Sequence, residues 1–231
     1  MNRTEILYDL PLFPLNEVLF PQMPLQLRIF EERYLIMITQ CLQQNLPFGV
    51  VLIEEGSETE GGCKPYKVGC LANIVRRENL ENGQMNILAA GDQRFRLLEY
   101  HETEHRYLAG CVELVKDIEV TSARLQPLQR EVSELFYSYL QMLAERMGEE
   151  APNTMLPEDP ALLSYCIAAL AIPSLTDKQD LLEAVNPQTR LETERLWLKL
   201  QMAGLKQIVP TVLPINLNTK EWQQYCQTAR N

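Results

Sequence analysis

The sequence predicts an α+β protein in which a β-rich N-terminal half is followed by a helical C-terminal half. Runs of strand type, alternating or continuously apolar, recur as far as Val115. From Ser122 no such run recurs, and apolar residues are instead spaced by three and four positions. Asn82-Gly83 lies between two strand-like runs, the pattern typical of a β-hairpin turn. We expect one early helix within the β-rich half and a small bundle of helices after it.

The early helix follows a stretch in which prolines limit the structure. Pro11, Pro14, Pro21 and Pro24 lack a backbone donor, so they exclude a helix before Leu25 and favour strands that are interrupted or lie at an edge. A period of two follows Pro24, and from Glu31 the period becomes helical. The predicted apolar face of this helix consists of Tyr34, Leu35, Ile38, Cys41 and Leu42.

Further strands are predicted where apolar runs are bounded by turn residues. Gly69 is a candidate bulge, and Gly91-Asp92 is expected to separate two strands. The expected strands are residues 48–53, 66–77, 85–90, 94–100 and 107–115.

Start and stop signals delimit four C-terminal helices. Gly148 ends the first, and Asp159-Pro160 opens the second with an N-cap followed by proline. Thr176 with Gln179 reads as a capping box for the third, and Asn186-Pro187 opens the last, which is expected to reach about residue 207.

Composition narrows the class of protein. The chain has 231 residues and a net charge of −10, which argues against a nucleic-acid partner. Its six cysteines form no CxxC pair, so buried reduced thiols are expected. There is no signal-peptide pattern, and the most apolar run, residues 161–172, is shorter than the roughly 20 residues of a membrane span. We therefore expect a cytoplasmic protein without a membrane partner.

One pentapeptide matches a metal-binding motif. His101-Glu102-Thr103-Glu104-His105 reads H-E-x-x-H, which binds zinc when a helix places both imidazoles on one face. Here it lies between two strand-like runs, and the chain has only two histidines, so a hairpin connection is the preferred interpretation. A zinc metallopeptidase through His101 and His105 stays a minor alternative.

Other catalytic patterns are absent from the sequence. No G-x4-G-K-[ST] phosphate loop and no G-x-S-x-G elbow occur, and no cofactor is expected. Arginines in the β-rich half alternate with glutamates, which favours cross-strand ion pairs over a basic groove. Arg190 and Glu194 are spaced as a helix-surface ion pair. The arginines concerned are Arg76, Arg77, Arg94, Arg96 and Arg106.

The opening stretch carries a family resemblance. LPLFPLNEVLFPQMPLQLRIFEERYLIMI resembles the start of the N-terminal, substrate-binding domain of ATP-dependent Lon proteases. The resemblance continues through FGVVLI, VGCLANIV, ENGQMNIL and GDQRFRLLEY to the helical segment DPALLSYCIAALAIPSLTDKQDLLEAVNPQTRL, about residues 8 to 205. Gln22 departs from the pattern, since the family usually has glycine there, and so does the loop at 101–106.

The resemblance implies a fold and a function. It implies a PUA-like pseudo-β-barrel in residues 1–120, a helical bundle in 121–209 and an irregular tail in 210–231, without the family's ATPase and protease modules. The implied function is non-catalytic recognition of unfolded or extended client segments, with a separate protease as a possible partner. RNA binding through the PUA-like barrel is the alternative. The candidate client-binding residues are Phe13, Phe20, Met23, Phe30, Glu32, Arg33 and Tyr34.

Overall fold

A computed structural model describes residues 5–57, 62–149 and 156–205. The chain divides into two compact units. The first, the β unit, comprises Met1–Lys116 together with Leu175–Glu183, and the second, the helical unit, comprises Asp117–Ser174 together with Ala184–Asn231. The expected tail at 210–231 lies outside the described residues.

In its described residues, the β unit contains seven strands and two α-helices, with a short 3-10 turn at Glu81–Gly83. Its helices are α1 (Glu32–Gln44) and α4 (Leu175–Glu183). Its strands are β1 (Ile6–Leu15), β2 (Pro24–Ile29), β3 (Phe48–Glu55), β4 (Lys64–Pro65), β5 (Val68–Asn79), β6 (Met85–Glu102) and β7 (Leu108–Leu114).

The sheet closes on itself. Its strand order is β1-β7-β6-β5-β3, and a parallel pairing between β1 and β3 joins the two ends, while β2 is added to β6 and β4 to β3. The prolines of β1 are accommodated because its first part pairs with β7 up to Leu12 and its second part pairs with β3 from Leu12. Each part therefore bonds to one neighbour, as the interrupted strand predicted from these prolines requires.

Apolar side chains from the closed sheet form its core. Each fully buried leucine, valine or phenylalanine contributes roughly 1.5–3 kcal/mol relative to exposure. β3 is buried at all of its first six positions, as its continuous apolar run predicts. One core cluster contains Leu10, Leu12, Val51, Leu71, Phe95, Leu97 and Val112.

Two expectations about glycines in this sheet are wrong. Gly91 does not end a strand, because β6 runs unbroken from Met85 to Glu102. Its glycine is required by packing, since a Cβ there would lie 2.1 Å from the Phe20 carbonyl oxygen. Gly69 is not a bulge; the register of β5 against β6 shifts after Cys70 instead, and a Cβ at Gly69 would lie 2.4 Å from the Val50 carbonyl oxygen.

Local turn and cap signals are confirmed at several helix and strand ends. Asn82 and Gly83 both have positive φ, 67° and 75°, in the hairpin between β5 and β6. Gly148 ends α2 (Ser122–Met147) in the left-handed conformation. The Asp159 carboxylate accepts a hydrogen bond of 2.7 Å from the Leu162 amide at the start of α3 (Pro160–Ala171).

The expected capping box at the third C-terminal helix is wrong. α4 begins at Leu175, so Thr176 lies inside the helix. The Gln179 side chain donates instead to the Val68 carbonyl oxygen at 3.0 Å and to the Glu183 carboxylate at 2.8 Å. The Gln179 side chain contacts β5 and is therefore not used to cap the helix.

α4 belongs to the β unit and not with the other C-terminal helices. The buried Arg94 guanidinium donates a 2.6 Å hydrogen bond to the Leu182 carbonyl oxygen, near the C-terminus of α4, where a cation is favoured. Lys178 forms an ion pair of 3.2 Å with Glu17. A bundle of all four helices is therefore not observed, whereas the predicted domain limits of 1–120 and 121–209 stay a prediction.

The helical unit contains α2, α3 and α5 (Pro187–Leu205). Asn186 caps α5 as predicted, since its side-chain oxygen accepts a 2.9 Å hydrogen bond from the Thr189 amide. α2 packs on α5, where the rings of Tyr139 and Trp197 meet edge to face at 5.7 Å. Across the described ranges, no helix is long and apolar enough to cross a membrane.

Candidate functional site

The entry to α1 carries a stack of three side chains that leads from the surface into the core. The Arg33 guanidinium lies over the Tyr34 ring at 4.6 Å, and that ring stacks on Phe13 at 4.1 Å with an interplanar angle of 11°. Phe13 in turn packs against the buried Phe48 at 6.2 Å. The guanidinium is thus held on a rigid apolar support.

Glu31 fixes Arg33 from the other side. Its Oε2 atom accepts a hydrogen bond of 2.9 Å from Arg33 Nε and lies 2.8 Å from Arg33 Nη2, so one carboxylate oxygen bridges two nitrogens of the guanidinium. The Glu31 carbonyl oxygen also accepts from the Tyr34 and Leu35 amides at 3.0 and 2.9 Å, which starts α1. One residue therefore sets both the start of the helix and the position of the guanidinium.

A concave pocket, the Tyr34 pocket, opens beside this stack. It holds about 20 Å³, enough for one water molecule or one small polar group. Its walls come from β1, from the entry to α1, from Ser57, Gly62 and Cys63 between β3 and β4, and from the β6–β7 hairpin. The lining residues are Pro14, Arg33, Tyr34, Ser57, Gly62, Cys63, Glu102, Arg106, Tyr107 and Leu108.

The β6–β7 hairpin is held against α1 at this pocket. The Tyr107 hydroxyl donates a hydrogen bond of 2.8 Å to the Gln40 side-chain oxygen Oε1. Burial raises the pKa of the Tyr107 hydroxyl, and the nearby Cys41 and Glu104 raise it further, so the phenol stays neutral and able to donate. The turn itself is closed by the Thr103 amide, which donates to the Tyr107 carbonyl oxygen at 2.8 Å.

The candidate binding residues that the sequence predicts divide into a buried group and an exposed group. Phe13, Phe20 and Met23 are buried at 7%, 0% and 3% exposure, so they fill the core of the β unit. Phe30 is 59% exposed and immediately precedes Glu31. Glu32 is also exposed, and Arg33 is half-buried with Tyr34 beneath it. Phe30, Glu32 and Arg33 thus present the accessible part of the candidate surface.

Sequence reasoning missed the pocket residues that come from elsewhere in the chain. Ser57 and Cys63 flank a polar loop, and Glu102 and Arg106 belong to a segment whose sequence indicates only a hairpin tip. No local pattern marks them, because they meet Tyr34 only after the sheet closes. Tyr107, an aromatic residue directly before β7, is the single available signal that this hairpin packs on another element.

The H-E-x-x-H pentapeptide does not have the geometry of a zinc site. His101 and Glu102 are the last part of β6, whereas His105 lies in the turn that follows, as the hairpin interpretation predicts. The two imidazoles are therefore not presented by successive turns of one helix. Among the residues that the structure describes, no group of three or more potential metal ligands occurs.

The arginines of the β-rich half do not form one groove. Arg94 is 2% exposed and bonded to α4, and Arg96 forms a cross-strand ion pair of 3.9 Å with Glu113. Arg106 lines the Tyr34 pocket. Arg76 and Arg77 lie apart from these, near the free end of β5.

The buried thiols are poor nucleophiles. Burial raises the pKa of Cys41 to about 11, and burial likewise raises the pKa of Cys70 well above its ordinary value. Because the thiolate is the reactive form, both thiols are inert at neutral pH. Cys63 and Cys111 are half-buried, and no cysteine in the described ranges forms a disulfide. Cys226 lies outside those ranges.

The entry to α1 brings together three groups of the kind that binding surfaces use. It offers an exposed aromatic ring, a guanidinium fixed on a ring stack, and a pocket whose size suits one small polar group. Such a combination makes apolar contacts and charge-assisted hydrogen bonds to a partner.

Comparison with known proteins places this fold in a family. The family model for the substrate-binding domain of ATP-dependent protease La (Lon) matches residues 9–199. The chain therefore belongs to the Lon substrate-binding domain family.

Its relatives are Lon proteases. The Lon protease of Dictyoglomus thermophilum is 24% identical over 208 residues, which cover 89% of this chain and 26% of the relative. That of Brevibacillus choshinensis is 27% identical, covering 80% of this chain and 24% of the relative. The chain thus spans about a quarter of the length of these curated relatives.

Solved structures of the same kind are similar to this chain. A Lon N-terminal domain protein from Xanthomonas campestris superposes with a TM-score of 0.62 at 25% identity, covering 83% of this chain and 99% of that one. The N-terminal domain of the Mycobacterium avium complex Lon protease superposes with a TM-score of 0.63 at 17% identity, which shows the fold alone. The matched domain is the substrate-binding domain of Lon and not its protease domain.

Proposed function

We propose that this protein is a non-catalytic recognition module that binds exposed or extended segments of client proteins. The binding surface consists of Phe30, Glu32, Arg33 and the Tyr34 pocket, here called the α1 entry surface. Phe30 contacts apolar side chains of the client, and the pocket takes a small polar group beside Arg33. The closed sheet serves as a PUA-like pseudo-barrel that holds this surface rigid.

One observation carries the proposal. Arg33 is fixed before any partner arrives, by Glu31 at 2.8 Å and by the Tyr34 ring at 4.6 Å. A cation that a ring and a carboxylate already hold loses little side-chain entropy on binding. The membership of this chain in the Lon substrate-binding domain family supports the same assignment.

The wider role follows from the relatives. We propose a cytoplasmic protein that presents bound clients to a separate protease, because its full-length relatives are named as Lon proteases. We do not propose RNA binding, since the net charge is −10 and Arg94 and Arg96 are engaged within the β unit. Zinc peptidase chemistry is not proposed either, because the motif lies in a hairpin.

A binding titration tests the proposal. The probe is reduced, carboxymethylated α-lactalbumin carrying a fluorescent dye, a permanently unfolded protein, and the readout is fluorescence anisotropy with the full chain. Phe30→Ser and Arg33→Ala should each raise the Kd at least tenfold. Leu200→Ser removes an apolar side chain that is 70% exposed in the helical unit and serves as the matched control.

Circular dichroism and urea unfolding show whether each variant keeps its fold. Equal Kd values for the folded Phe30→Ser and Arg33→Ala variants and the unchanged protein would contradict the proposed surface. No measurable binding of the unfolded probe by the unchanged protein would contradict the function itself.

A further inference from the structure

The C-terminal part of β5 is an open sheet edge. β3 pairs with β5 only as far as Ala72, opposite Phe48, and Pro47 then ends that pairing because it has no amide hydrogen to donate. Beyond this point β5 has β6 on one side only, within the ranges that the structure describes. Val75 to Asn79 are five successive exposed residues, whereas a strand covered on one face would alternate.

The hydrogen-bond alternation shows which backbone groups of this edge point outward. The Gly91 amide donates to the Met23 carbonyl oxygen at 2.9 Å, so the odd-numbered residues of this part of β6 face β2. Its even-numbered residues, among them Asn86 and Leu88, therefore face β5. Their partners in the register are Glu78 and Arg76.

It follows that Arg77 and Asn79 direct their amides and carbonyl oxygens away from β6. The two residues are spaced by two, the repeat of an antiparallel ladder, so an added strand could bond to both. Neither residue has another hydrogen bond or ion pair with any residue in the described parts of the chain. The edge thus offers two donors and two acceptors in register.

Side chains at the edge indicate the charge of the partner. Arg76 and Arg77 are exposed, and no carboxylate within the described ranges pairs with either. The neighbouring Glu78 accepts a 3.2 Å hydrogen bond from the Asn86 side chain on the β6 side. Successive side chains of a strand alternate between its faces, so Arg77 projects opposite to Arg76 and Glu78. One face of the edge is therefore cationic in a protein whose net charge is −10.

A second copy of the chain fits this edge poorly. Antiparallel self-pairing centred on Arg77 would set the two Arg77 side chains opposite each other, and like charges at that position are destabilising. The register shift between Ile74 and Arg76 further limits a long self-paired ladder. An extended strand that carries a carboxylate opposite Arg77 has neither problem.

We propose that the Arg77 edge, residues Val75 to Asn79 of β5, binds an extended acidic segment of a client protein as an added antiparallel β-strand. The exposed Val75, at 58%, supplies an apolar contact for the same segment. This proposal depends on the proposed function in one respect only, namely that the partner is a client protein. It uses a surface separate from Phe30 and Arg33.

Hydrogen exchange followed by NMR tests the edge on the full chain. The probe is a blocked nine-residue peptide of alternating valine and glutamate, and its counterpart alternates valine and lysine. In the free protein the Arg77 and Asn79 amides should exchange rapidly and the Arg76 and Glu78 amides slowly. The glutamate peptide should slow the exchange of Arg77 and Asn79 at least tenfold, and the lysine peptide should not.

Charge reversal provides the second measurement. The Arg76→Glu/Arg77→Glu variant should bind the glutamate peptide at least tenfold more weakly and should gain affinity for the lysine peptide. Arg124→Glu/Arg130→Glu, at two exposed arginines of α2, makes the same change in net charge and serves as the matched control, which should leave both affinities unchanged.

Three results would overturn the proposal. One is equal affinity of the unchanged and charge-reversed proteins for the glutamate peptide. Another is binding without slowed exchange at Arg77 and Asn79. The third is slow exchange of these amides in the free protein that depends on protein concentration, since a second copy would then occupy the edge. Phe30→Ser should leave peptide binding at the edge unchanged, so failure here and failure of the α1 entry surface are distinguishable.

Discussion

Arg190 and Asp117 form a bidentate ion pair inside the helical unit. Arg190 Nη2 lies 2.6 Å from Asp117 Oδ2, and Nη1 lies 2.9 Å from Oδ1. The arginine is fully buried, where it also donates to Ser164 Oγ at 2.8 Å and lies 4.2 Å above the Tyr165 ring. The helix-surface pair with Glu194 that the sequence suggests is therefore wrong, because both residues face the interior.

Removing the carboxylate of this pair should destabilise the protein strongly. Asp117→Ala leaves a buried guanidinium without its counter-charge, which costs about 3–5 kcal/mol. Glu131→Ala breaks ion pairs of 2.6 Å with Lys199 and 3.2 Å with Arg195 that lie near the surface, and should lower the stability much less than Asp117→Ala does. Urea unfolding monitored by circular dichroism measures both values. Equal losses in the two variants would contradict the buried pair.

Glu194 should make the stability of the helical unit depend on pH. It is fully buried, and neither carboxylate oxygen has a hydrogen-bond partner. Burial raises the pKa of the Glu194 carboxyl well above its usual value of 4.5, although the charge of Arg190 acts in the opposite sense. The folded protein thus keeps a proton that the unfolded chain releases above about pH 4.5.

The sign of this dependence follows from proton binding. The contribution of Glu194 is fully present below the unfolded pKa and falls as pH rises toward the folded pKa, by at most about 1.4 kcal/mol per pH unit. Glu194→Gln cannot ionise, so its stability relative to the unchanged protein should increase from pH 5 to pH 8. Urea unfolding across this range measures the difference, and a difference that is constant with pH would reject the buried, protonated carboxyl.

Gln22 has a backbone conformation that is unfavourable for a residue with a side chain. Its φ is 63°, in the left-handed region, and its amide donates to the Gly91 carbonyl oxygen at 2.9 Å. This backbone explains why the family pattern has glycine at the position. Gln22→Gly should stabilise the protein by up to about 1 kcal/mol, because the left-handed conformation costs a side chain roughly 1–2 kcal/mol.

Asn82→Gly is the matched control for Gln22→Gly. Asn82 also has a positive φ, 67°, but asparagine tolerates this region better than glutamine does. The gain in melting temperature should therefore be smaller for Asn82→Gly than for Gln22→Gly. A larger gain at Asn82 would show that strain at Gln22 is not the determining factor.

The sequence predicts features whose causes are local. The helix after Glu31, the Asn82-Gly83 turn and the Asp159 cap each depend on residues a few positions apart. Prediction from the sequence fails where the cause is a contact between distant residues. α4 joins the β unit, where Arg94 donates a hydrogen bond to it, and Arg190 pairs with Asp117 in the interior of the helical unit. The spacing of residues within one segment carries no information about such long-range contacts.

The candidate site divides in the same way. The sequence identifies Arg33 and Tyr34 as candidate site residues because they belong to the contiguous stretch that carries the family resemblance. Glu102 and Arg106 reach the pocket only because the β6–β7 hairpin returns to α1, where Tyr107 meets Gln40 at 2.8 Å. The Arg77 edge depends on where β3 stops pairing with β5, and this is set by sheet closure.

Gly91 should be far more sensitive to substitution by alanine than Gly204 is. It lies within β6, where the sequence suggests a break, and a Cβ would approach the Phe20 carbonyl oxygen to 2.1 Å. Since that oxygen belongs to the backbone, Gly91→Ala must displace the Phe20 segment from β6, and overpacking of this kind costs about 1–3 kcal/mol. Gly204→Ala, with no atom within 4 Å of the added Cβ and a position inside α5, should instead be neutral or stabilising by up to about 1 kcal/mol. Urea unfolding of the two variants decides the matter, because a Gly91→Ala variant as stable as Gly204→Ala would mean that β6 and the Phe20 segment do not pack this closely.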